Sequence, residues 1–363
     1  MNKNILYLTR TMDIGGTEKV ILQLCKTLKS DFNKIIVCST YGVHVKDLND
    51  FKIKHYTIPD MESKNLINVI KSFLIIRKVI KEEQIHIVHT HHRMAAFYGR
   101  VLNIFNKYIH IHTAHNTFYN KRMFTKFSLS KSKIICVGEK VKENLINYFK
   151  IKNDSIEVIY NGVERNTIEK KPIPELIDLK KQGNFIVGNI GRLSEQKGFP
   201  YFIEACRLIK QINSEIKLCI IGDGELREEL MLLSKKYELE DTLLFLGYRN
   251  DIENVIDHCD LLVLSSLWEG LPLTPMEVFM QKKTLIATGV DGTLEVVEHM
   301  KNGLIIKPKD SIAIKDSILE LYGNRELLYQ LEQNAYETYE RKFDISIFIK
   351  NYREFYNKLK VGE

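Results

Sequence analysis

Short runs of apolar and β-branched residues alternate along the chain with longer stretches whose apolar positions recur at the spacing of a helix. In the first half, the runs predict strands at residues 4–9, 34–40, 55–58, 85–90, 109–115 and 133–137. Helical stretches between these strands include residues 17–29, 64–81 and 139–149. Because apolar strands joined by helices are typical of parallel sheets, the pattern predicts a sheet covered by helices on both faces.

The alternation restarts after residues 164–183, a charged stretch with two prolines that we predict to be a linker. After this stretch the pattern predicts strands at residues 185–190, 216–221, 243–246, 261–265, 284–288 and 303–306. Two or three helices over residues 312–360 follow these strands. We therefore expect an α/β fold of two Rossmann-like, doubly wound parallel-sheet domains. In tandem, such domains would face a central cleft at the carboxyl ends of their strands, where open α/β sheets bind ligands.

The composition is that of a globular protein, with 363 residues of which 44% are hydrophobic and 27% charged. This length fits two domains of ordinary size. No apolar run approaches the ~20 residues of a membrane-spanning helix, and the N-terminus has no secretory signal, so we expect a cytoplasmic protein. The cysteines form no C-x-x-C pair and lie mostly among apolar neighbours, which indicates reduced core residues: Cys25, Cys38, Cys136, Cys206, Cys219 and Cys259.

The net charge of +7 is unevenly distributed along the chain. Residues 1–170 hold 28 Lys and Arg against 15 Asp and Glu, a net +13, whereas the remainder holds 25 against 31, a net −6. Such asymmetry favours an anionic partner for the N-terminal half: a membrane surface, a lipid-linked diphosphate or a nucleic acid. A lysine-rich surface without such a partner is the alternative.

Residues 121–133 interleave cations with Met123, Phe124 and Phe127 at helical spacing. An interfacial helix has this pattern, and so does an ordinary helix that packs its two phenylalanines into the core. Together with the basic N-terminal half, the segment leads to a hypothesis of peripheral docking at the anionic inner face of the cell membrane. Docking there would give access to a polyprenyl-linked acceptor.

Two loops that follow predicted strands carry residues suited to phosphate. Gly15 and Gly16 open a helix, where close backbone approach and free N–H groups suit an anion. The dinucleotide fingerprint G-x-G-x-x-G is absent, so a turn that caps a helix is the alternative. Arg192 and Lys197, five positions apart, can clamp both phosphates of a nucleotide diphosphate. For these two cations the alternative is a solvated turn.

A third loop carries the single tryptophan and leads into a helix that we expect to begin near Thr274, with Pro275 at its first position. Glu269 on the loop and Glu277 in the first turn are suited to accepting hydrogen bonds from sugar hydroxyls. The amides near Leu273 and Thr274 would meet phosphate. The alternatives are a solvated loop charge for Glu269 and, for Glu277, a carboxylate stabilised by the helix dipole.

The run Ser266-Leu267-Trp268-Glu269-Gly270-Leu271-Pro272, followed by Glu277, resembles the S-x-x-E-G-x-P-x-x-x-x-E donor-site signature of retaining glycosyltransferases of family 4 with the GT-B fold. Other segments resemble the family's pattern in the same order, so the resemblance spans essentially the whole chain. These segments are Gly15-Gly16-x-Glu18, Gly191-Arg192-Leu193, Lys197-Gly198, Gly222-Asp223-Gly224-Glu225-Leu226, Phe245-Leu246-Gly247 and Asn302-Gly303-Leu304.

This resemblance implies a GT-B architecture with an acceptor domain at residues 1–165 and a nucleotide-sugar donor domain at residues 166–344. A last helix at about residues 345–363 would pack back on the first domain. The resemblance also implies that Arg192 and Lys197 bind the donor diphosphate.

Further roles follow from the same resemblance. Glu277 would hold the ribose, and Glu269 would contact hydroxyls of the transferred sugar. Gly16, with Gly15 beside it, would lie against the donor. His115 resembles the family's N-domain histidine near the reacting centre. Other histidines close in sequence leave open which ring lines the site: His89, His91, His92, His110 and His112.

The chain departs from the family pattern in two places. Glu277 is followed by Val278 and Phe279 where the family commonly has alanine and then a small residue. Residues 289–295 have the sequence Gly-Val-Asp-Gly-Thr-Leu-Glu instead of Gly-Gly-x-x-Glu. These departures affect the expected shape of the donor pocket, not the reaction class.

We therefore expect a retaining glycosyltransferase of the hexosyltransferase type (EC 2.4) that uses a UDP- or GDP-sugar. Its acceptor would be a saccharide linked to polyprenyl diphosphate, in capsule, exopolysaccharide or lipopolysaccharide synthesis. No D-x-D triplet occurs, so we expect no metal and no cofactor, with cations and helix dipoles stabilising the leaving diphosphate. In the retaining scheme the leaving phosphate itself takes the acceptor proton, so no protein base is required.

Four alternatives remain at this point. A sugar-nucleotide epimerase of the same fold would need no acceptor, and a phosphorylase would need a pyridoxal-lysine pocket. A basic protein that binds nucleic acid or a membrane without catalysis would explain the charge of the N-terminal half. It would not explain the four candidate site residues of the second half, which are Arg192, Lys197, Glu269 and Glu277. A catalytically silent partner subunit is disfavoured by the intact motifs, and we expect no nucleic acid as partner.

Overall fold

The first of two parallel sheets is built from the N-terminal half of the chain. In this computed structural model, which describes residues 3–165 and 170–359, it has the strand order β3-β2-β1-β4-β5-β6-β7. Its strands are β1 (Asn4–Leu8), β2 (Lys34–Ser39), β3 (Lys54–Thr57), β4 (Ile87–Thr90), β5 (Ile109–Ala114), β6 (Lys133–Cys136) and β7 (Ile156–Val158). Its helices are α1 (Gly16–Thr27), α2 (Val45–Asp50), α3 (Leu66–Glu82), α4 (Arg93–Phe105), α5 (Arg122–Ser128) and α6 (Glu139–Asn147).

The second sheet has the strand order β10-β9-β8-β11-β12-β13. Its strands are β8 (Phe185–Ile190), β9 (Ile216–Ile221), β10 (Leu243–Gly247), β11 (Leu261–Leu264), β12 (Leu285–Thr288) and β13 (Leu304–Ile306). The helices that follow β7 are α7 (Pro174–Lys181), α8 (Phe199–Lys210), α9 (Arg227–Lys236), α10 (Ile252–His258), α11 (Leu273–Met280), α12 (Thr293–Val296), α13 (Ser311–Gly323), α14 (Arg325–Thr338) and α15 (Ile345–Lys358).

All the strand pairs in both sheets are parallel, and each strand connects to the next through a helix or a longer crossover. Apolar side chains on both faces of each sheet are buried, because helices cover both faces of a parallel sheet of this kind. The predicted α/β fold of two Rossmann-like domains is therefore confirmed, and no described helix is long and apolar enough to cross a membrane.

The chain divides into two compact units. One holds residues 3–161 together with residues 346–359, and the other holds the described residues between 162 and 345. Helix α15 from Ser346 onward therefore belongs to the unit of the first sheet. The expected boundary between residues 165 and 166 adjoins residues 166–169, which lie outside the described residues, as do residues 360–363 of the expected last helix.

One local prediction is wrong, and one strand was missed. The predicted linker at residues 164–183 contains α7, because Pro174 starts a helix well at its first position and Leu176 is buried. Strand β7 was not expected either. With only three residues, Ile156–Val158, it is too short to show a periodic pattern, and it forms by pairing with β6.

Helix α15 packs against the first sheet through a buried polar cluster. The hydroxyl of Tyr356 lies 2.6 Å from Nδ1 of His89 and 3.2 Å from the hydroxyl of Tyr7. The hydroxyl of Tyr352 lies 3.4 Å from Oγ1 of Thr113. Because buried polar groups need partners, these contacts fix which face of α15 meets the sheet.

Replacing Tyr356 with Phe should destabilise the protein by about 1–3 kcal/mol, because the change leaves buried polar atoms of His89 and Tyr7 without their partner. Urea unfolding followed by circular dichroism measures this. Tyr41→Phe is the control, since that side chain is 71% exposed. Equal midpoints for the two variants would show that the hydroxyl of Tyr356 contributes nothing to stability.

Candidate functional site

Each sheet has one pair of adjacent strands whose next connections run in opposite directions along the sheet. These switch points lie between β1 and β4 in the first sheet and between β8 and β11 in the second. The loops after such strands diverge and leave a crevice at the carboxyl edge, where ligands of open α/β sheets bind. The loops at the two switch points contain most of the predicted site residues: Gly15, Gly16, Arg192, Lys197 and Glu269.

In the second sheet, Lys197 and Glu269 form an ion pair across the switch point. Nζ of Lys197 lies 2.5 Å from Oε1 of Glu269, and the two side chains are 18% and 6% exposed. The hydroxyl of Ser266 donates to the same carboxylate oxygen at 2.6 Å, and Nε2 of Gln196 donates to Oε2 at 3.3 Å. Glu269 is therefore not a solvated loop charge. Its carboxylate is held by three donors from two loops.

The backbones of the same two loops are also joined. The hydroxyl of Ser265 donates to the carbonyl oxygen of Lys197 at 2.8 Å, and the amide of Leu267 donates to the carbonyl oxygen of Gln196 at 2.7 Å. Gly198 has a φ of +62°, and a Cβ there would lie 2.2 Å from the carbonyl oxygen of Ser265. The close approach of the two loops therefore requires glycine at this position.

Arg192 occupies a different environment from Lys197. Its side chain is 68% exposed and lies 3.2 Å from Oε2 of Glu225, in the loop after β9. An exposed pair of this kind contributes little stability, so the guanidinium is available to an anionic ligand. Glu225 as partner of Arg192 was missed, because the two residues are 33 positions apart and only the fold brings them together.

Helix α11 begins at Leu273, one residue earlier than expected. Leu273 and Thr274 are its first two residues, so their amides have no partner within the helix. That these amides meet phosphate stays a prediction. Pro275 is at the third position instead of the first, and Glu277 is at the fifth. The half-buried Glu277 thus lies beyond the first turn, where the helix dipole gives it little stabilisation.

In the first sheet, Gly15 is the N-terminal cap of α1 and Gly16 is the first residue of that helix. A Cβ at Gly15 would lie 2.3 Å from Oε2 of Glu18, so the carboxylate of Glu18 folds back over this turn. Burial, with a smaller effect from the charge of Asp13, raises the pKa of Glu18 to about 7. The turn that caps a helix is therefore present, and it also carries a carboxyl group whose charge changes near neutral pH.

His115 follows β5 and is half-buried, and its Nε2 lies 3.0 Å from Nδ1 of His91, which follows β4. The other nearby histidines are placed differently. His89, His110 and His112 lie within strands and are no more than 3% exposed. His92 is the half-buried N-cap of α4, where its ring accepts a hydrogen bond from an amide. His91 is buried and contacts His115 directly, and the signal for it in the sequence is the alternation along β4, which places it on the same face as His89.

Burial keeps these histidines neutral. Desolvation lowers the pKa of His110 and of His115 to about 3, and it lowers the pKa of His89, His91 and His112 well below the ordinary value. At neutral pH the cluster is therefore polar but uncharged, in contrast to the charged loops of the second sheet.

The predicted site residues thus fall into separate groups. Lys197 and Glu269 are in direct contact, and Arg192 pairs with Glu225 on the neighbouring loop. Gln196 and Ser266 were missed as partners of Glu269. The three-residue spacing of Ser266 and Glu269 in the loop was the available signal. Across the described ranges, no group of three or more His, Cys, Asp or Glu side chains is arranged to hold a metal ion.

Two family models match the chain. The model described as "Glycosyl transferases group 1" matches residues 176–338, and the model described as "Glycosyltransferase Family 4" matches residues 14–167. An Escherichia coli relative named UDP-Gal:alpha-D-GlcNAc-diphosphoundecaprenol alpha-1,3-galactosyltransferase is 27% identical over 371 aligned positions, covering 96% of this chain and 95% of the relative.

Solved structures share the fold over nearly the whole length. A glycosyltransferase from Rickettsia africae ESF-5 has a TM-score of 0.85 at 22% identity, with 99% of each chain covered. Anabaena Alr3699/HepE, solved in complex with UDP and glucose, has a TM-score of 0.85 at 20% identity, covering 99% of this chain and 100% of its own. The structure is therefore a GT-B fold, as the motifs implied.

Acidification from pH 7.5 to pH 5.5 should destabilise the protein. The half-buried His115 and four buried histidines resist protonation in the folded state: His89, His91, His110 and His112. In the unfolded chain these histidines protonate below a pKa of about 6.5. Stability is therefore fully present above that pH and falls as pH decreases, by about 1 kcal/mol per histidine at pH 5.5. Urea midpoints across this range measure the effect, and a midpoint independent of pH would contradict the burial of neutral rings.

Proposed function

The chain belongs to the glycosyltransferases of group 1 and family 4, and from this premise we propose that it is a retaining, metal-independent hexosyltransferase. Its donor is a UDP- or GDP-sugar. Its acceptor is a saccharide linked to polyprenyl diphosphate, in the synthesis of a bacterial capsule, exopolysaccharide or lipopolysaccharide. The first unit binds the acceptor, and the second binds the donor.

The observation that carries the donor assignment is the contact between Lys197 and Glu269 at the switch point of the second sheet. A carboxylate offers about four lone-pair sites, and three donors already bind that of Glu269, which leaves capacity for a sugar hydroxyl. An ammonium group has three N–H donors, so Lys197 can keep this bond and still donate to a phosphate oxygen. One pair of residues can thus contact both parts of a sugar diphosphate.

The remaining groups of the second unit are suited to the leaving diphosphate. Arg192 can exchange its exposed bond with Glu225 for a bidentate bond to phosphate, and the amides of Leu273 and Thr274 add donors at the start of α11. These donors favour the transition state, because negative charge grows on the diphosphate as the sugar leaves. Glu277, on the next turn of α11, holds the ribose.

The reaction breaks the bond between the anomeric carbon and the diphosphate oxygen and forms a bond from the acceptor hydroxyl on the same face of the sugar. The acceptor proton passes to the leaving phosphate. A neutral His115 is consistent with this scheme, because its low pKa makes the ring a poor proton acceptor at neutral pH. Gly15 and Gly16 leave the backbone of the first unit open to close approach by a substrate.

The acceptor class rests on the E. coli relative, whose name specifies UDP-galactose as donor and GlcNAc-diphosphoundecaprenol as acceptor. The match covers almost the full length of both chains, so an acceptor of this class is the first to test. The sugar transferred and the linkage formed depend on loop geometry that 27% identity does not carry over.

Glu269→Ala should lower kcat/KM for sugar transfer by roughly ten- to a hundredfold, because it removes a charged hydrogen bond worth about 1.5–3 kcal/mol. Transfer to a GlcNAc-diphosphate lipid, with whichever nucleotide sugar the wild type uses, measures this. Glu225→Ala is the matched control, because among the described residues its carboxylate binds the exposed Arg192 alone. This variant should stay within about threefold of wild type. Full activity of Glu269→Ala in a folded protein would show that this carboxylate does not contact the sugar.

We further propose that the first unit docks on an anionic membrane through α3, α4 and α5. These helices carry eight Lys and Arg against one acid, Glu82, whereas α1 and α2 together carry three of each sign. The exposed face of α3 is also strongly apolar. Four of its aliphatic side chains are 50–70% exposed: Leu66, Ile67, Ile70 and Leu74. Apolar exposure together with positive charge suits an anionic lipid surface.

Helix α5 extends this face. Phe97 of α4 lies between Phe73 of α3, at 6.2 Å between ring centroids, and Phe124 of α5, at 5.2 Å. Phe124 therefore packs against the protein, whereas Met123 and Phe127 are 78% and 42% exposed. We therefore extend the interfacial surface proposed for residues 121–133 to the exposed aliphatic side chains of α3, which are more numerous.

The double variant Ile70→Glu/Leu74→Glu should reduce cosedimentation with vesicles containing phosphatidylglycerol by about tenfold or more. The reason is that the two substitutions add negative charge to the exposed apolar face of α3. Ile312→Glu is the control, since Ile312 is 60% exposed but lies on α13 in the other unit. Equal binding of the wild type to neutral and anionic vesicles, or no binding to either, would contradict the proposed docking.

A further inference from the structure

Two neighbouring strands of the first sheet end with histidines on the same face. Side chains alternate along a strand, so His89 and His91 share one face at the end of β4, and Thr113 and His115 share that face at the end of β5. Thr90 points to the opposite face, where its hydroxyl contacts rings from β5. The alternation therefore brings His91 and His115 together at the carboxyl edge.

A hydrogen bond of 3.0 Å joins Nδ1 of His91 to Nε2 of His115. Both rings are neutral, because burial lowers both of their pKa values. Two neutral imidazoles share such a bond through one N–H only, so the tautomer of each ring determines that of the other. The proton is either on Nδ1 of His91 or on Nε2 of His115.

The surroundings of His91 favour one of these two arrangements. Nε2 of His91 is buried and has no hydrogen-bond partner in the described part of the chain. A buried N–H without a partner is rarer in proteins than a buried acceptor without one. Nε2 of His91 is therefore the unprotonated nitrogen, and its N–H is on Nδ1, directed at His115.

We infer that His91 is a positioning residue that holds His115 as the tautomer with its proton on Nδ1, so that His115 presents a hydrogen-bond donor to a substrate oxygen. That donor suits a sugar hydroxyl or a phosphate oxygen and cannot accept the acceptor's proton. The inference rests on the proposed function in one respect, which is that His115 meets the substrate.

The C-terminal helix fixes the ring beneath His91. Both nitrogens of His89 are engaged, with Nδ1 at 2.6 Å from the hydroxyl of Tyr356 and Nε2 at 2.7 Å from Oγ1 of Thr113. The ring of His89 packs at 4.4 Å between centroids against that of His91. A series of contacts thus connects α15 to His115 through His89 and His91, and it limits the rotation of the His91 ring.

The tautomer can be measured in the wild-type protein. With ¹⁵N-labelled histidine, protonated and unprotonated ring nitrogens have well-separated shifts, and the His115 signals are assigned by their loss in His115→Gln. We expect a protonated Nδ1 and an unprotonated Nε2 for His115. A proton on Nε2, or a ring that averages between both forms, would overturn the inference. This measurement is independent of transferase activity, so it separates failure of the inference from failure of the proposed function.

A kinetic cycle tests whether His91 acts through His115. His91→Leu should lower kcat/KM for transfer by about tenfold, the value of one hydrogen bond of about 1.4 kcal/mol. His91→Asn, whose side-chain amide can donate from the position of Nδ1, should recover activity to within about threefold of wild type. In a His115→Ala background, His91→Leu should have no further effect. An equal loss in both backgrounds, or no recovery with Asn, would identify His91 as a packing residue only.

Discussion

The ion pair between Lys197, which is 18% exposed, and the buried Glu269 determines how the loops of the second sheet pack. A charge in a buried site is tolerated only when it is paired, so the loops after β8 and β11 must meet closely enough to bring these side chains together. The positive φ of Gly198 and the bonds from Ser265 and Ser266 satisfy that requirement. The hydrogen-bonding sites that Lys197 and Glu269 do not use for each other lie at the carboxyl edge of the sheet, because both residues follow strands of that sheet.

The first unit differs from the second in the polar groups at its switch point. Its switch point carries neutral histidines, held by hydrogen bonds to each other and, through Tyr356, to the C-terminal helix. Elsewhere in this unit, α3, α4 and α5 together carry eight Lys and Arg against one acid. We infer a division of chemistry in which charged groups recognise the diphosphate, a neutral ring contacts the sugar or phosphate, and surface cations attract a membrane.

The fold was predictable because most buried parallel strands appear as apolar runs, and β8 and β9 have the predicted bounds. The three residues of β7 carry no such signal, and α7 was hidden by the prolines and charges around it. At the site, sequence spacing could nominate Arg192, Lys197 and Glu269 but not their contacts. Lys197 pairs with a residue 72 positions away and Arg192 with one 33 away, which only the completed sheet determines.

Trp268 allows the most direct test of the donor site. It is the single tryptophan of the chain, is 48% exposed and precedes Glu269 in the loop after β11. Its fluorescence can therefore be followed while UDP, GDP and their sugars are titrated into the protein. We expect a saturable change in Trp268 emission with one of these nucleotides. Nucleotide binding detected by calorimetry without any change at Trp268, or no binding of any nucleotide diphosphate, would contradict the proposed donor site.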